Sequence, residues 1–85
     1  MKFKYEKTFL RDLKKLKQSQ RQEAIKRIKL FQRAPRHPLL HDHPLKGRLK
    51  GLRSINLSGD LRAHYRFDGV NNIIFLRLGT HSTLY

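Results

Sequence analysis

The residue pattern predicts an α+β domain: an N-terminal helical hairpin packed on one face of a small antiparallel sheet of three to four strands. Three observations carry that expectation. Apolar residues recur at helical spacing through residues 1–33, alternation and turn dipeptides take over from residue 52, and 85 residues can bury only one core. Residues 1–85 therefore read as a single domain in which helices and sheet share their apolar faces.

Lys2-Phe3-Lys4-Tyr5 alternates and reads as a short strand. Thr8 is placed to cap a helix whose Phe9, Leu13 and Leu16 form one apolar stripe. Ser19 with Gln22 fits the capping box of a second helix. Its apolar face is Ala24, Ile25, Ile28 and Phe31, with Glu23 and Arg27 set as an i,i+4 pair. Pro35 and Pro38 end helical structure and open a loop to about Gly51. Strands follow at 52–57, 61–67 and 72–78, separated by Ser58-Gly59-Asp60 and by Asp68-Gly69. Connections this short imply an antiparallel meander.

Twenty Lys and Arg stand against six Asp and Glu, a formal +14. An isoelectric point near 11.1 is the footprint of polyanion binding. Twelve of these cations fall in residues 1–33, mostly on the expected helices, and suit a general docking surface. The eight in residues 34–85 are mostly arginines close to histidines, whose rigid forks match phosphate oxygens. With no cysteine, neither a disulfide framework nor a thiolate metal site is available. The N-terminus is charged throughout, unlike a signal peptide, and no run approaches the ~20 apolar residues of a membrane span. A soluble, cytoplasmic protein with no membrane partner is expected.

The reactive chemistry concentrates in the second half. Along 61–67, Leu61, Ala63, Tyr65 and Phe67 point one way and Arg62, His64 and Arg66 the other. Two guanidiniums and an imidazole thereby share the open face of the sheet as a phosphate-binding concavity. The five histidines are His37, His41, His43, His64 and His81. His41-Asp42-His43 admits a metal-site reading, but no further ligands converge in the sequence and the surrounding cations oppose a divalent ion.

The same side chains admit metal-free RNA cleavage. A base removes the proton of a ribose 2′-hydroxyl, that oxygen attacks the adjacent phosphate, and an acid protonates the leaving 5′-oxygen. Cations stabilise the phosphorane charge. His43 and His81 suit the proton transfers, Asp60 a base or orienting carboxylate, and Arg62, Arg66 and Arg77 the charge stabilisation. His81 and Tyr85 stand four apart just after the apolar strand 72–78, where a strand end holds a proton carrier in place.

Four motifs fall in a telling order: Asp42-His43-Pro44-Leu45-Lys46-Gly47, Lys50-Gly51-Leu52-Arg53, Gly59-Asp60-Leu61-Arg62, and Gly79-Thr80-His81 ending in Leu84-Tyr85. Their order and spacing resemble the YafQ branch of the RelE toxins, from about residue 40 to the end of the chain. The resemblance implies a RelE-like fold and a ribosome-dependent, metal-independent mRNA interferase of a type II toxin–antitoxin module. Such a toxin enters the A site of the 70S ribosome, cuts mRNA within codons and uses no cofactor. It also implies a cognate antitoxin with an acidic toxin-binding segment.

By position, the resemblance makes His43, Asp60, His81, Arg62 and Tyr85 the catalytic group. RNA and phosphate binding then fall to His64, Arg66, Arg77, Asn56, Lys46 and Arg53. Lys14, Lys15, Lys17, Lys26, Arg27 and Lys29 would dock on ribosomal RNA. Two positions depart from the family: Asn56 stands where it has a further functional histidine, and Leu61 where it has tryptophan. Asn56 transfers no proton at neutral pH, so it is expected to orient a group or bond a base edge, with His64 as the replacement histidine. The alternatives are a ParE-like gyrase inhibitor, which shares the fold without RNA cleavage, and a plain RNA-binding module. His43, Asp60 and His81 in register weigh against the first.

Overall fold

The computed structural model describes residues 1–85. Strand β1 (Lys2–Tyr5) leads into helices α1 (Lys7–Lys14) and α2 (Gln18–Arg33). Then come β2 (His43–Pro44), β3 (Arg53–Ser58), β4 (Leu61–Phe67), β5 (Asn72–Thr80) and a terminal helical turn, α3 (His81–Leu84). Single 3₁₀ turns occupy Pro38–Leu40 and Gly47–Leu49 within the expected loop.

The α+β class holds, but the sheet is larger than expected and mixed. It has five strands in the order β1-β5-β4-β3-β2. β1 runs parallel to β5, from Lys2↔Asn72 to Tyr5↔Phe75, and the remaining pairs are antiparallel. Local alternation in β1 carries no information about a partner at the far end of the chain. β2 is two residues long and lies below any periodicity signal; its Pro44 is tolerated because the strand is an edge.

The expected helical hairpin is only loosely matched: its arms are unequal, eight residues in α1 and sixteen in α2, and each packs mainly on the sheet. α1 packs on β5 and α2 on β3. Arg21 of α2 ties the arms together by donating to the carbonyls of Leu13, Lys14 and Leu16, which satisfies the open C-terminal end of α1.

The expected caps differ. Glu6, not Thr8, precedes α1. Thr8 lies inside the helix and donates its hydroxyl to the Leu76 carbonyl at 2.6 Å. Asp12, one turn on, accepts from the Leu78 N–H at 2.9 Å. β1 covers β5 only as far as Phe75, so these two side chains satisfy edge groups that no strand reaches. α2 begins before the expected Ser19–Gln22 box: Lys17 is its cap, and the Lys17 N–H donates to Gln20 Oε1 at 3.4 Å. Glu23 pairs loosely with Lys26 at 3.7 Å rather than with Arg27, whose guanidinium donates to the Leu39 carbonyl at 3.1 Å.

Phe9, Phe31, Tyr65 and Phe75 form the centre of the core, with ring centroids 5.0–5.8 Å apart. Ile55, Leu57, Ala63 and Leu78 complete it between helices and sheet. Phe67, expected on this side, is half exposed at the strand end. No helix is long and apolar enough to cross a membrane. The opposite face of β3–β5 is left clear of α1 and α2.

Candidate active site

Strand register builds the site. His43 pairs with Ser54, Ser54 with His64 and His64 with Arg77, giving one transverse row across β2, β3, β4 and β5. At ~4.8 Å per strand the row spans about 14 Å. Asn56 pairs with Arg62 and Arg62 with Gly79, so alternation sets these groups on the same face, two residues farther along.

The chain end folds back onto this face. The Thr80 hydroxyl accepts from the Thr83 N–H at 3.3 Å and starts α3. Gly79 permits the reversal, because a Cβ there would stand 2.7 Å from Thr83 Oγ1 and 3.3 Å from the Leu84 side chain. The return places Tyr85 edge-on to His64, with centroids 5.1 Å apart, and stacked on His81 at 4.2 Å.

His64 is consequently 2% exposed. The open concavity expected of Arg62, His64 and Arg66 has a covered floor, because the terminal tyrosine lies on the imidazole. Three buried polar atoms on this face, His64 Nε2, Ser54 Oγ and Arg62 Nε, have no hydrogen-bond partner. Burial lowers the His64 pKa from its ordinary 6.5, and the charges of Arg77, His43, Arg62 and His81 around it push the same way. Both effects favour the neutral imidazole.

Around this floor the other groups are held individually. His43 Nδ1 lies 2.7 Å from the His41 carbonyl. Arg62 donates to Asn56 Oδ1 at 3.1 Å, so Asn56 orients a guanidinium. The exposed Asp60 carboxylate stands 3.9 Å from Arg62 Nε, beyond hydrogen-bond reach. Arg77 donates through Nε to Asp12 at 2.8 Å and through a second nitrogen at 3.4 Å. The Asp12 hydrogen bond is the main reason the Arg77 pKa is raised. Sequence reasoning missed Asp12; the one signal for it was a lone carboxylate in an otherwise basic α1.

Other expected site residues lie elsewhere. Arg66 sits farther along β4, 3.9 Å from Asp68, and Lys46 is exposed beyond β2. Arg53 is one residue out of phase with Ser54, so it leaves from the helix side of the sheet. Its Nε lies 3.2 Å from both Asp42 Oδ1 and the Tyr65 hydroxyl. Tyr65 donates to Asp42 at 2.8 Å, and burial followed by that bond raises the phenol pKa. Asp42 is thus turned away from His43, and His41, Asp42 and His43 do not converge. Lys14, Lys26 and Lys29 are exposed on the helices and Lys15 and Lys17 in the turn between them, whereas Arg27 is engaged with Leu39.

A small basic α+β protein with a histidine- and arginine-bearing sheet face is the class that fold and site define. The family model described as the bacterial toxin of type II toxin–antitoxin systems, YafQ, matches residues 1–85. The chain belongs to the YafQ family of toxins.

Its fold is similar to YafQ from E. coli strain BL21(DE3), with 23% identity over 98% of this chain and 96% of that one and a TM-score of 0.76. The YafQ of the E. coli DinJ–YafQ toxin–antitoxin complex is 24% identical over 98% and 94%, at 0.76. A metal-bound toxin from Helicobacter pylori is 31% identical over 100% and 99%, with a TM-score of 0.72. In the present chain no three His, Cys, Asp or Glu side chains stand together in a way that could hold a metal ion. No curated protein sequence matches the chain.

Proposed function

We propose that this toxin is a ribosome-dependent mRNA endonuclease in which a ribose 2′-hydroxyl attacks the adjacent phosphate, with the proton transfers carried by side chains alone. The observation that carries this reading is the row His43–Ser54–His64–Arg77, closed at one end by His81 and Tyr85.

His43 acts as the base. The His41 carbonyl beside its Nδ1 can only accept, so Nδ1 carries the proton and Nε2 keeps its lone pair. That lone pair takes the 2′-hydroxyl proton as the 2′-oxygen bonds to phosphorus. The bond from phosphorus to the 5′-oxygen breaks, and His81 gives that oxygen its proton. The products are a 2′,3′-cyclic phosphate and a 5′-hydroxyl.

Arg62, held by Asn56, and Arg77, held by Asp12, supply the positive charge that a pentacoordinate phosphorane needs. Asp60 faces Arg62 from the solvent side at 3.9 Å and acts on it through charge alone, and Arg66 and Lys46 serve flanking phosphates. Tyr85 stacks on an mRNA base, an interaction of ~1–3 kcal/mol. His64 takes no proton from RNA, since its Nε2 is buried under Tyr85; it supports the face as a neutral group.

The exposed lysines of α1 and α2 dock on ribosomal RNA through phosphates, so binding weakens steeply with salt. An antitoxin with an acidic segment is the expected partner of a +14 surface. E. coli YafQ with DinJ and Mycobacterium tuberculosis RelBE2 are themselves toxin–antitoxin complexes, which supports that assignment.

Primer extension on a reporter mRNA during expression tests the reading. Cuts inside codons that require translation, persist with chelator and disappear on co-expression of the neighbouring reading frame are expected. Growth arrest without any cut would overturn it.

A further inference from the structure

A cleft lies on the other side of the sheet edge from the row. It has a volume of about 380 Å³ and is lined by Arg36, His37, His41, Asp42, Arg53 and two prolines, so that polar and charged side chains dominate it. That volume falls within the range of clefts that hold small organic ligands. We propose that this cleft binds one nucleotide of a single-stranded RNA, outside the cleavage site, with its phosphate on the guanidiniums and its base against the imidazoles.

The cleft is built rather than incidental. His37 accepts from the Leu39 N–H at 3.1 Å, and Arg27 reaches from α2 to the Leu39 carbonyl at 3.1 Å. Leu40 is fully buried beneath them. His41 follows with φ at 45°, the one non-glycine residue of the chain with positive φ. That turn lets the chain place Asp42 toward Tyr65 and His43 toward Ser54, on opposite sides of the same edge.

Charge follows from the bonding. The Asp42 carboxylate is engaged inward by the Tyr65 hydroxyl and Arg53 Nε, which leaves the terminal nitrogens of Arg53 without a partner. Arg36 and His41 make no side-chain hydrogen bond and are exposed. Two guanidiniums and two imidazoles therefore face a cleft whose single carboxylate is already neutralised. Arginine forks bind phosphate oxygens, and histidine and arginine planes stack on unpaired bases. The imidazoles favour a nucleotide over an acidic peptide, which offers nothing to stack.

Continuity favours RNA as well. Asp42 and His43 are consecutive, so a strand held at His43 reaches this cleft by rounding the two-residue edge β2. The cleft would grip the mRNA beside the cleaved position and set its register. This assignment takes RNA as the ligand from the function proposed above, but not the cleavage chemistry.

The test is an NMR titration of the full chain with a short single-stranded RNA, 2′-O-methylated throughout so that it is not cut. Inorganic phosphate and a polyglutamate peptide serve as comparison probes. The expected result is a saturable shift of the Arg36 and Arg53 Nε–H and the His37 and His41 ring signals with RNA. Arg36→Gln and His41→Asn, the latter compatible with positive φ, should each weaken RNA binding about 5–10-fold, and Arg36→Gln should lower the salt slope by about one.

Shifts confined to Arg62, Arg66 and His81 would overturn this proposal and leave the cleavage site standing. Shifts at the cleft alone would support it and count against the cleavage site. Equal binding of inorganic phosphate, or preference for polyglutamate, would also overturn it.

Discussion

Tyr85 holds two imidazoles at once: its ring stands edge-on to His64 at 5.1 Å and nearly parallel to His81 at 4.2 Å. Tyr85 thereby fixes both the floor of the face and the ring of His81, the proposed proton donor. Removing the ring frees His81 to rotate and opens His64 to water.

Tyr85→Ala is expected to slow cleavage about 10–100-fold, the equivalent of the ~1–3 kcal/mol of a base stack. Stability should fall by about 1 kcal/mol through loss of the aromatic pairs. Tyr85→Phe keeps both ring contacts and should retain most activity. Single-turnover cleavage and urea unfolding of the two variants check this; equal losses in both would assign the role to the hydroxyl.

Acid should destabilise the protein through His64. Its folded pKa is lowered below 6.5, so the unfolded chain binds the proton more readily. Stability is complete above the ordinary histidine range and is lost as pH falls from about 6.5 toward the lower folded pKa. His64→Leu should flatten the fall in unfolding free energy between pH 7.5 and 5.5. The ring signal of His64 should titrate below 6.5 by NMR, and a midpoint at or above that value would contradict the burial argument.

Asp12 joins α1 to the site, accepting from both the Arg77 guanidinium and the Leu78 N–H. Asp12→Ala leaves an edge N–H unpaired and a guanidinium unheld, so a loss of about 1.5–3 kcal/mol in urea unfolding is expected. The rate of the chemical step should fall with it, because Arg77 loses its aim. Asp12→Asn retains one acceptor and should fall between. An alanine variant of unchanged stability would show that the clasp contributes nothing.

Gly79→Ala sets a Cβ 2.7 Å from Thr83 Oγ1, within the turn that carries His81. The sheet core does not depend on that turn, so cleavage should fall far more than the melting temperature. Solvent exposure of His64, read by its ring proton exchange, should rise. Wild-type activity in this variant would show that α3 is not positioned by Gly79.

Local pattern made β3, β4 and β5 legible, because alternation and turn dipeptides are signals that neighbouring residues carry. The face shared by Arg62 and His64 came from the same period of two. The parallel pairing of Lys2–Tyr5 with Asn72–Phe75 did not, since register between distant segments is set by the packed core. Thr8 and Asp12 were opaque for a related reason. A helix surface does not reveal which residues meet an uncovered strand edge. His43 and His81 stood out by motif, yet Arg53, from a neighbouring motif, turned to the opposite face by one residue of phase. The burial of His64 followed from a chain reversal at Gly79 that no periodicity announces.

The central claim is that His43 and His81 exchange protons with RNA across this face. Its most direct test is the single-turnover rate of mRNA cleavage on purified 70S ribosomes, with the product ends identified, for the wild type, His43→Ala and His81→Ala. The account predicts 2′,3′-cyclic phosphate ends from the wild type and a loss of about 10²–10⁴-fold in each variant while ribosome binding is retained. Cleavage at near wild-type rates in either variant, or ends lacking a 3′-side phosphate, would contradict it.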